Sequence, residues 1–158
     1  MEKATFAAGC FWGVELAFGR LKGVKQTSVG YTGGTSSAAT YQEVCSGTTG
    51  HAEAVQILFD PTEISYADLV AHFWQIHDPT TLNRQGADIG TQYRSAIYFH
   101  SNEQERIARE SKAGLVASGK LARPAVTEIE PAGPYHLAED YHQKYFEKRG
   151  MAGLCHSR

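Results

Sequence analysis

Strand-like and helix-like segments take turns along this chain, and that alternation is what most limits the folds open to it. Residues 4–8 read as a short strand leading to Cys10, and residues 11–19 place Phe11, Val14, Leu16 and Phe18 as a helix would. VKQTSVGYTGG (24–34) is a strand running into a glycine turn, and HAEAVQILFD (51–60) is a strand closed by Pro61. ISYADLVAHFWQIH (64–77) is a helix in which Ser65 and Asp68 have capping-box spacing. RSAIYFH (94–100) is a strand. Ser101 and Gln104 repeat the box spacing and open a helix to about Ser118. AVTEI, within 124–130, is a further strand, and 138–148 reads as a short helix. Interleaved elements of this kind predict an α+β fold: a two-layer sandwich, with a mixed β-sheet and helices mainly on one face. Two connections, 35–50 with one helical turn around YQEV and 78–94, are longer than such a fold needs, and long loops over a scaffold are where sites are built.

At 158 residues the chain fits one domain, expected to span 1–158 with a flexible tail from about 149, where two glycines fall. The 15 Lys and Arg against 17 Asp and Glu leave a formal charge of −2 and no basic surplus for nucleic acid. No apolar run reaches the roughly 18 residues of a membrane span. The first residues, MEKATFAAGC, lack a charged and then apolar leader, so a cytoplasmic protein is expected, and a monomer. The three cysteines, at 10, 45 and 155, are too few for a disulfide scaffold and none are at C-x-x-C spacing; the seven histidines show no metal spacing. No metal and no organic cofactor is expected.

Cys10 stands where the first strand meets the first helix, beside Phe11 and Trp12. There its sulfur would face open backbone N–H groups and the positive end of the helix dipole, which favours the nucleophilic thiolate. The alternative is a small packed residue, since cysteine without a disulfide is so often buried. Strand parity along 51–59 puts His51, Glu53, Val55, Ile57 and Phe59 on one face. A carboxyl among those apolar neighbours would be desolvated, protonated near neutrality and fit to act as an acid; the alternative is a strand-end glutamate reaching water. Cys155, near the chain end, has the character of a travelling, resolving thiol or of an incidental one. Cys45, after Val44, reads as buried and inert, and His142 as packed or hydrogen-bonded rather than a ligand.

Five segments in order, GCFWGVE (9–15), VGYTGG (29–34), TYQEVCSGTTGHAEAV (40–55), FWQIHDPTTLNRQGADIGTQYRSAIY (73–98) and AEDYHQKY (138–145), resemble the peptide methionine sulfoxide reductases of the A type. The resemblance covers nearly the whole chain, and a ferredoxin-like core with long site loops goes with it. It implies Cys10 as the nucleophile that attacks the sulfoxide sulfur and Phe11 and Trp12 as the wall for the substrate methyl. It also implies Glu53 as the acid on the sulfoxide oxygen, Tyr41 and Tyr93 as hydroxyls on that oxygen, and Asp88 as an acid of the site loop. Cys155 matches the resolving thiol in rough position, with thioredoxin as reductant. Substrates would be oxidised proteins or free methionine sulfoxide, with preference for the S epimer. The last residues are GLCHSR, so no second recycling cysteine of the kind found in some relatives is expected. Two other readings of the same thiols remain: a peroxide-reducing enzyme, which would need no methyl pocket, and a non-catalytic redox sensor.

Overall fold

The computed structural model describes residues 1–34, 40–47 and 49–148. Their elements are β1 (Glu2–Ala8), α1 (Phe11–Gly19), β2 (Val24–Thr32), α2 (Tyr41–Cys45), β3 (Ala52–Phe59), α3 (Tyr66–Gln75), a small hairpin of β4 (Arg84–Gln85) and β5 (Asp88–Ile89), β6 (Ser95–Phe99), α4 (Asn102–Ala117), β7 (Glu128–Pro131), β8 (Tyr135–Leu137) and α5 (Tyr145–Lys148). The main sheet has six strands in the order β7-β6-β1-β3-β2-β8, antiparallel throughout except for the parallel β6–β7 pair. Its centre, β6-β1-β3-β2, is built by β1-α1-β2 and β3-α3-β6 and has the ferredoxin-like βαββαβ connectivity.

The two sheet faces differ in side-chain size. Ala4, Phe6, Val29, Tyr31, Val55, Ile57, Phe59 and Ile97 are buried on one face with Phe18, Leu69, Val70 and Phe73 from the helices. Ala7, Ala52, Ala54, Ala96 and Tyr98 form the other cluster. The opposite edges β7 and β8 are joined by residues 132–134 alone. Four steps from residue 131 to 135 reach about 14 Å, whereas a flat six-stranded sheet is about 24 Å across. The sheet must therefore curl, and its alanine-lined face is the inside of the curl.

Phe6 is fully buried, stacked on Phe18 (centroids 4.9 Å) and Phe73 (5.3 Å). Phe6→Ala is expected to cost about 3–5 kcal/mol, read from urea unfolding. A loss below ~1 kcal/mol would mean that the β1–α1–α3 contact is not the centre of the core.

Local signals and tertiary bonds divide the remaining elements. Ser65 closes the expected capping box with Asp68. Ser101 caps α4, but Gln104 leaves the box: its amide accepts from His100 N–H and donates to the Lys3 carbonyl. The AVTEI strand begins only at Glu128, because Val126 N–H donates to the Pro79 carbonyl and the Thr127 carbonyl accepts from Lys112. The single helix expected over 138–148 is broken into a 3-10 turn (Asp140–His142) and α5, with Lys144 at φ 52 between them. Gln143 bonds both the N–H and the carbonyl of Val29, and Lys144 N–H goes to Glu15, so bonds to β2 and α1 replace helical ones. The 78–94 loop holds the β4–β5 hairpin and a 3-10 turn at Thr91–Tyr93. The expected flexible tail from about 149, with Cys155, lies outside the described residues.

Candidate active site

Gly9 turns the chain out of β1 at φ 97, a conformation that suits a residue without Cβ, and Cys10 becomes the N-cap of α1. No side chain of the cap residue bonds the helix end. Instead a carboxyl arrives from the neighbouring strand: Phe11 N–H donates to Glu53 Oε1 at 3.2 Å. The antiparallel register explains the meeting. Phe6 pairs with Val55, so two residues further on Glu53 comes opposite Ala8, at the mouth of the β1–α1 turn. Cys10 carries its thiol half-buried at that turn.

Glu53 is 1% exposed. Its pKa is pushed up to about 8, chiefly by desolvation; the Phe11 N–H pulls it down and the negative charge of Asp88 pushes it further up. Its second oxygen, Oε2, has no hydrogen-bond partner among the described residues. Near neutrality Glu53 is therefore a neutral acid with one oxygen fixed to the helix end and the other buried and unpartnered among the described residues. Asp88 is exposed on the β4–β5 hairpin, and it enters the site through its field on Glu53 and Tyr93.

Two phenols share that environment. Tyr41 opens α2, fixed by the Thr40–Glu43 capping box, and burial raises its pKa, followed by its hydrogen bond with Cys45 and the charges of Cys45 and Glu53. Tyr93, in the 3-10 turn before β6, is raised by burial and then by Glu53, Cys45, Asp88 and Cys10. Both hydroxyls stay protonated and can donate. Cys45 is not the buried residue expected: it is exposed at the end of α2, bonded to the Tyr41 hydroxyl, with its thiol pushed up by desolvation. Val44 takes the buried side of α2, and a helix turns about 100° per residue, so Cys45 next to it is carried toward solvent.

The apolar side is made by Phe11 and Trp12. Phe11 is buried against Tyr31 (5.7 Å), and half-exposed Trp12 stacks on Tyr145 (3.8 Å). Trp12 Nε1–H donates to His142 Nδ1 at 3.0 Å, the packed and hydrogen-bonded role expected of that histidine.

The C-terminal strap holds these pieces in ways the sequence reading did not foresee. Glu139 accepts from the Tyr31 hydroxyl (2.9 Å), the Tyr41 N–H (3.0 Å) and the Tyr141 hydroxyl (3.2 Å). Desolvation would raise its pKa, but those bonds outweigh it and hold the carboxyl below its ordinary value. Glu15, 3% exposed, accepts from Thr27 (2.8 Å) and from Lys144 N–H (2.7 Å), tying the strap to α1. Tyr31 had a findable signal, since strand pairing puts it directly across from Glu53. Glu139 and Glu15 had none beyond lying inside the quoted motifs.

Cys10, Glu53, Tyr41, Tyr93 and Asp88 thus come from four separate segments to one place, with Phe11 and Trp12 beside them; Cys155 lies outside the described residues. A thiol, a neutral acid, two phenolic donors and an aromatic wall suit attack on a neutral, polarised X=O group that carries an apolar substituent. Among the described residues no cluster of His, Cys, Asp or Glu could hold a metal ion, and no helix is long and apolar enough to cross a membrane.

Known proteins agree with this picture. The family model described as peptide methionine sulfoxide reductase matches residues 2–158. A peptide methionine sulfoxide reductase MsrA of Methanoculleus marisnigri is 60% identical over 155 residues, 98% of this chain and 94% of that protein. The solved methionine sulfoxide reductase A of Corynebacterium diphtheriae superposes with a TM-score of 0.85 at 42% identity, over 94% of this chain and 75% of that one. Mxr1 of Saccharomyces cerevisiae superposes in its reduced form with a TM-score of 0.89 at 35% identity, over 98% of this chain and 88% of that one. The same protein in complex with Trx2 gives 0.64 at 25% identity, over 91% and 84%. With its fold, its motifs and its full length all matched, the chain belongs to the peptide methionine sulfoxide reductase family, in its A type.

Proposed function

We propose that this chain is an oxidoreductase that reduces methionine-S-sulfoxide, free or in proteins, to methionine, and that Cys10, Glu53, Tyr41 and Tyr93 carry the chemistry. The observation that carries the assignment of residues is the buried, unpartnered Oε2 of a neutral Glu53, whose other oxygen is fixed on the backbone N–H next to Cys10. Sulfoxide oxygen is a good acceptor, and its sulfur is a poor electrophile until that oxygen is polarised. Glu53 Oε2–H, Tyr41 and Tyr93 donate to the oxygen where negative charge develops. Asp88 supports them by keeping Glu53 protonated. The Cys10 thiolate attacks sulfur and forms an S–S bond while the sulfoxide oxygen takes the proton from Glu53; the hydroxyl oxygen then leaves the substrate sulfur and bonds to the Cys10 sulfur as the S–S bond breaks, so methionine leaves and Cys10 is a sulfenic acid. The Phe11 and Trp12 wall receives the methyl group, which a peroxide does not have. Cys155 thiol then condenses with the sulfenic acid, giving water and a Cys10–Cys155 disulfide that a dithiol reduces. The complex of yeast Mxr1 with Trx2 supports thioredoxin as that dithiol. A thiol enzyme recycled in this way works where thiols are kept reduced, which favours the cytoplasm. The wider role is repair of oxidised proteins.

The test supplies the purified protein, dithiothreitol and each epimer of a blocked methionine sulfoxide, and measures methionine. Turnover of the S epimer alone is expected. Turnover of hydrogen peroxide with neither epimer would support a thiol peroxidase, and turnover of none a redox sensor. Cys155→Ser is expected to complete one turnover at the wild-type rate and to lose thioredoxin-supported cycling. Undiminished cycling would place the resolving thiol elsewhere.

A further inference from the structure

Arg94 follows Tyr93 directly, yet its side chain turns back over the neighbouring loops and is only 11% exposed. Nη1 donates to the Thr91 carbonyl (2.9 Å), which also accepts the Arg94 N–H (3.2 Å), so one residue closes the Tyr93 turn with two bonds. Nη2 donates to the Gly50 carbonyl (2.9 Å) and, more weakly, to that of Gly33 (3.4 Å). Nε faces the Glu128 carboxylate of β7 at 3.4 Å. Gly33 leaves β2 and Gly50 leads into β3. The end pair of these strands is Thr32–Ala52, and the next is Tyr31–Glu53. Gly34 N–H adds a bond to His51 Nδ1 (3.0 Å) between the same two loops. Gly33 is at φ 87, and a Cβ there would lie 3.0 Å from Nη2, so glycine leaves the guanidinium its room. A guanidinium carries its donors in a rigid planar fork and can fix several carbonyls relative to one another, whereas an ammonium acts as a point.

We propose that Arg94 is a positioning residue of the sulfoxide step: its guanidinium locks the turn that carries Tyr93 to the end of the β2–β3 pair that carries Glu53. It thereby sets the spacing of the two donors that share the sulfoxide oxygen. This rests on the reductase reading and deepens it. Arg94 acts through Tyr93 and Glu53, not on the substrate itself. Donors already in place where charge develops need no reorganisation during the reaction, and a misplacement of about 1 Å can cost on the order of 10²-fold.

The experiment compares wild type with Arg94→Lys, Arg94→Met and Glu128→Gln. Three quantities are measured: the single-turnover rate and KM on the S epimer of a blocked methionine sulfoxide, the rate at which iodoacetamide alkylates Cys10, followed by mass spectrometry, and urea unfolding. Alkylation needs the Cys10 thiolate but no donor from Glu53 or Tyr93. Arg94→Met is expected to lower the sulfoxide rate by about 10²-fold with KM little changed, the signature of contacts made in the transition state. Arg94→Lys, with a point charge in place of the fork, is expected to lose about 10-fold. Cys10 alkylation should keep the wild-type rate in both. Glu128→Gln removes only the charge facing Nε and should keep the wild-type sulfoxide rate. Wild-type sulfoxide rates in both Arg94 variants, or a loss carried wholly by KM, would overturn the proposal. So would alkylation that falls in step with sulfoxide reduction, since that marks a general loss of structure around the thiol. A loss in Glu128→Gln as deep as in Arg94→Met would assign the effect to the ion pair and overturn it as well. Where Arg94→Met does not fold, Arg94→Lys decides by the same criteria. Wild-type enzyme that failed to reduce the sulfoxide would instead defeat the reductase reading, so the two failures are distinct.

Discussion

Cys10→Ser is expected to abolish sulfoxide reduction, with methionine formation down by on the order of 10⁴-fold or more, the scale on which removal of a nucleophile acts. The reason is chemical rather than structural. Serine occupies nearly the same volume at the α1 N-cap and is among the residues preferred there, so the helix end and the Glu53–Phe11 bond should survive. What is lost is a group that ionises within reach of neutral pH and makes a good nucleophile toward sulfur. A serine hydroxyl stays protonated in this field, and Glu53, itself protonated, cannot act as the base that would activate it. The measurement is chromatographic quantification of methionine from the S epimer with excess dithiothreitol, alongside urea unfolding to show that the fold is intact. More than about 1% of wild-type activity in a folded Cys10→Ser protein would require another nucleophile.

Glu53→Ala is expected to slow the single-turnover step by about 10²- to 10³-fold, the range for removing one donor that acts on developing negative charge. Glu53→Gln should be milder, about 10-fold, because an amide N–H still donates although it cannot release a proton. The pH dependence separates the acid from a generic polar contact. The neutral carboxyl is the working form, so the wild-type step should decline as pH rises through about 8, while the Gln variant lacks that limb. Stability carries the same signature with a definite sign. The folded pKa of about 8 is above the ordinary 4.5, so the folded state holds a proton that the unfolded chain gives up. That contribution is complete below pH 4.5 and is lost as pH rises through 8. Between pH 4 and pH 9, Glu53→Gln should gain on wild type by up to roughly 4–5 kcal/mol, at about 1.36 kcal/mol per pH unit. Parallel stability curves for the two proteins would mean an ordinary, ionised Glu53.

The frame of the fold was legible where local signals and tertiary packing agree. Short strand-like runs, those of β2 and β3 closed by a glycine turn or a proline, marked β1, β2, β3 and β6, and the Ser65–Asp68 box marked the start of α3. Strand parity alone exposed Glu53 as a carboxyl on the apolar face, because parity fixes which side a residue takes whatever lies across from it. Illegible features depend on partners far away in sequence. The 138–148 segment has helical composition, but Val29 and Glu15 capture Gln143 and Lys144, more than 110 residues away, and break it. Glu139 and His142 owe their places to where that strap crosses β2 and α1. β8 exists because the curl of the sheet brings residues 135–137 onto the edge of β2. Cys45 reads as buried because it follows Val44 on a helical turn, yet Val44 takes the inner side of α2 and leaves Cys45 exposed.

The central claim is that a buried, neutral carboxylic acid at position 53, with one oxygen unpartnered, stands beside the turn that carries the thiol at position 10. The most direct measurement is a carbon-13 NMR titration of protein labelled at the glutamate side-chain carboxyls, with the Glu53 signal assigned by its disappearance in Glu53→Gln. A titration midpoint near 8 is the predicted result. A midpoint near the ordinary 4.5 would show an ionised carboxylate at neutral pH and would contradict the account.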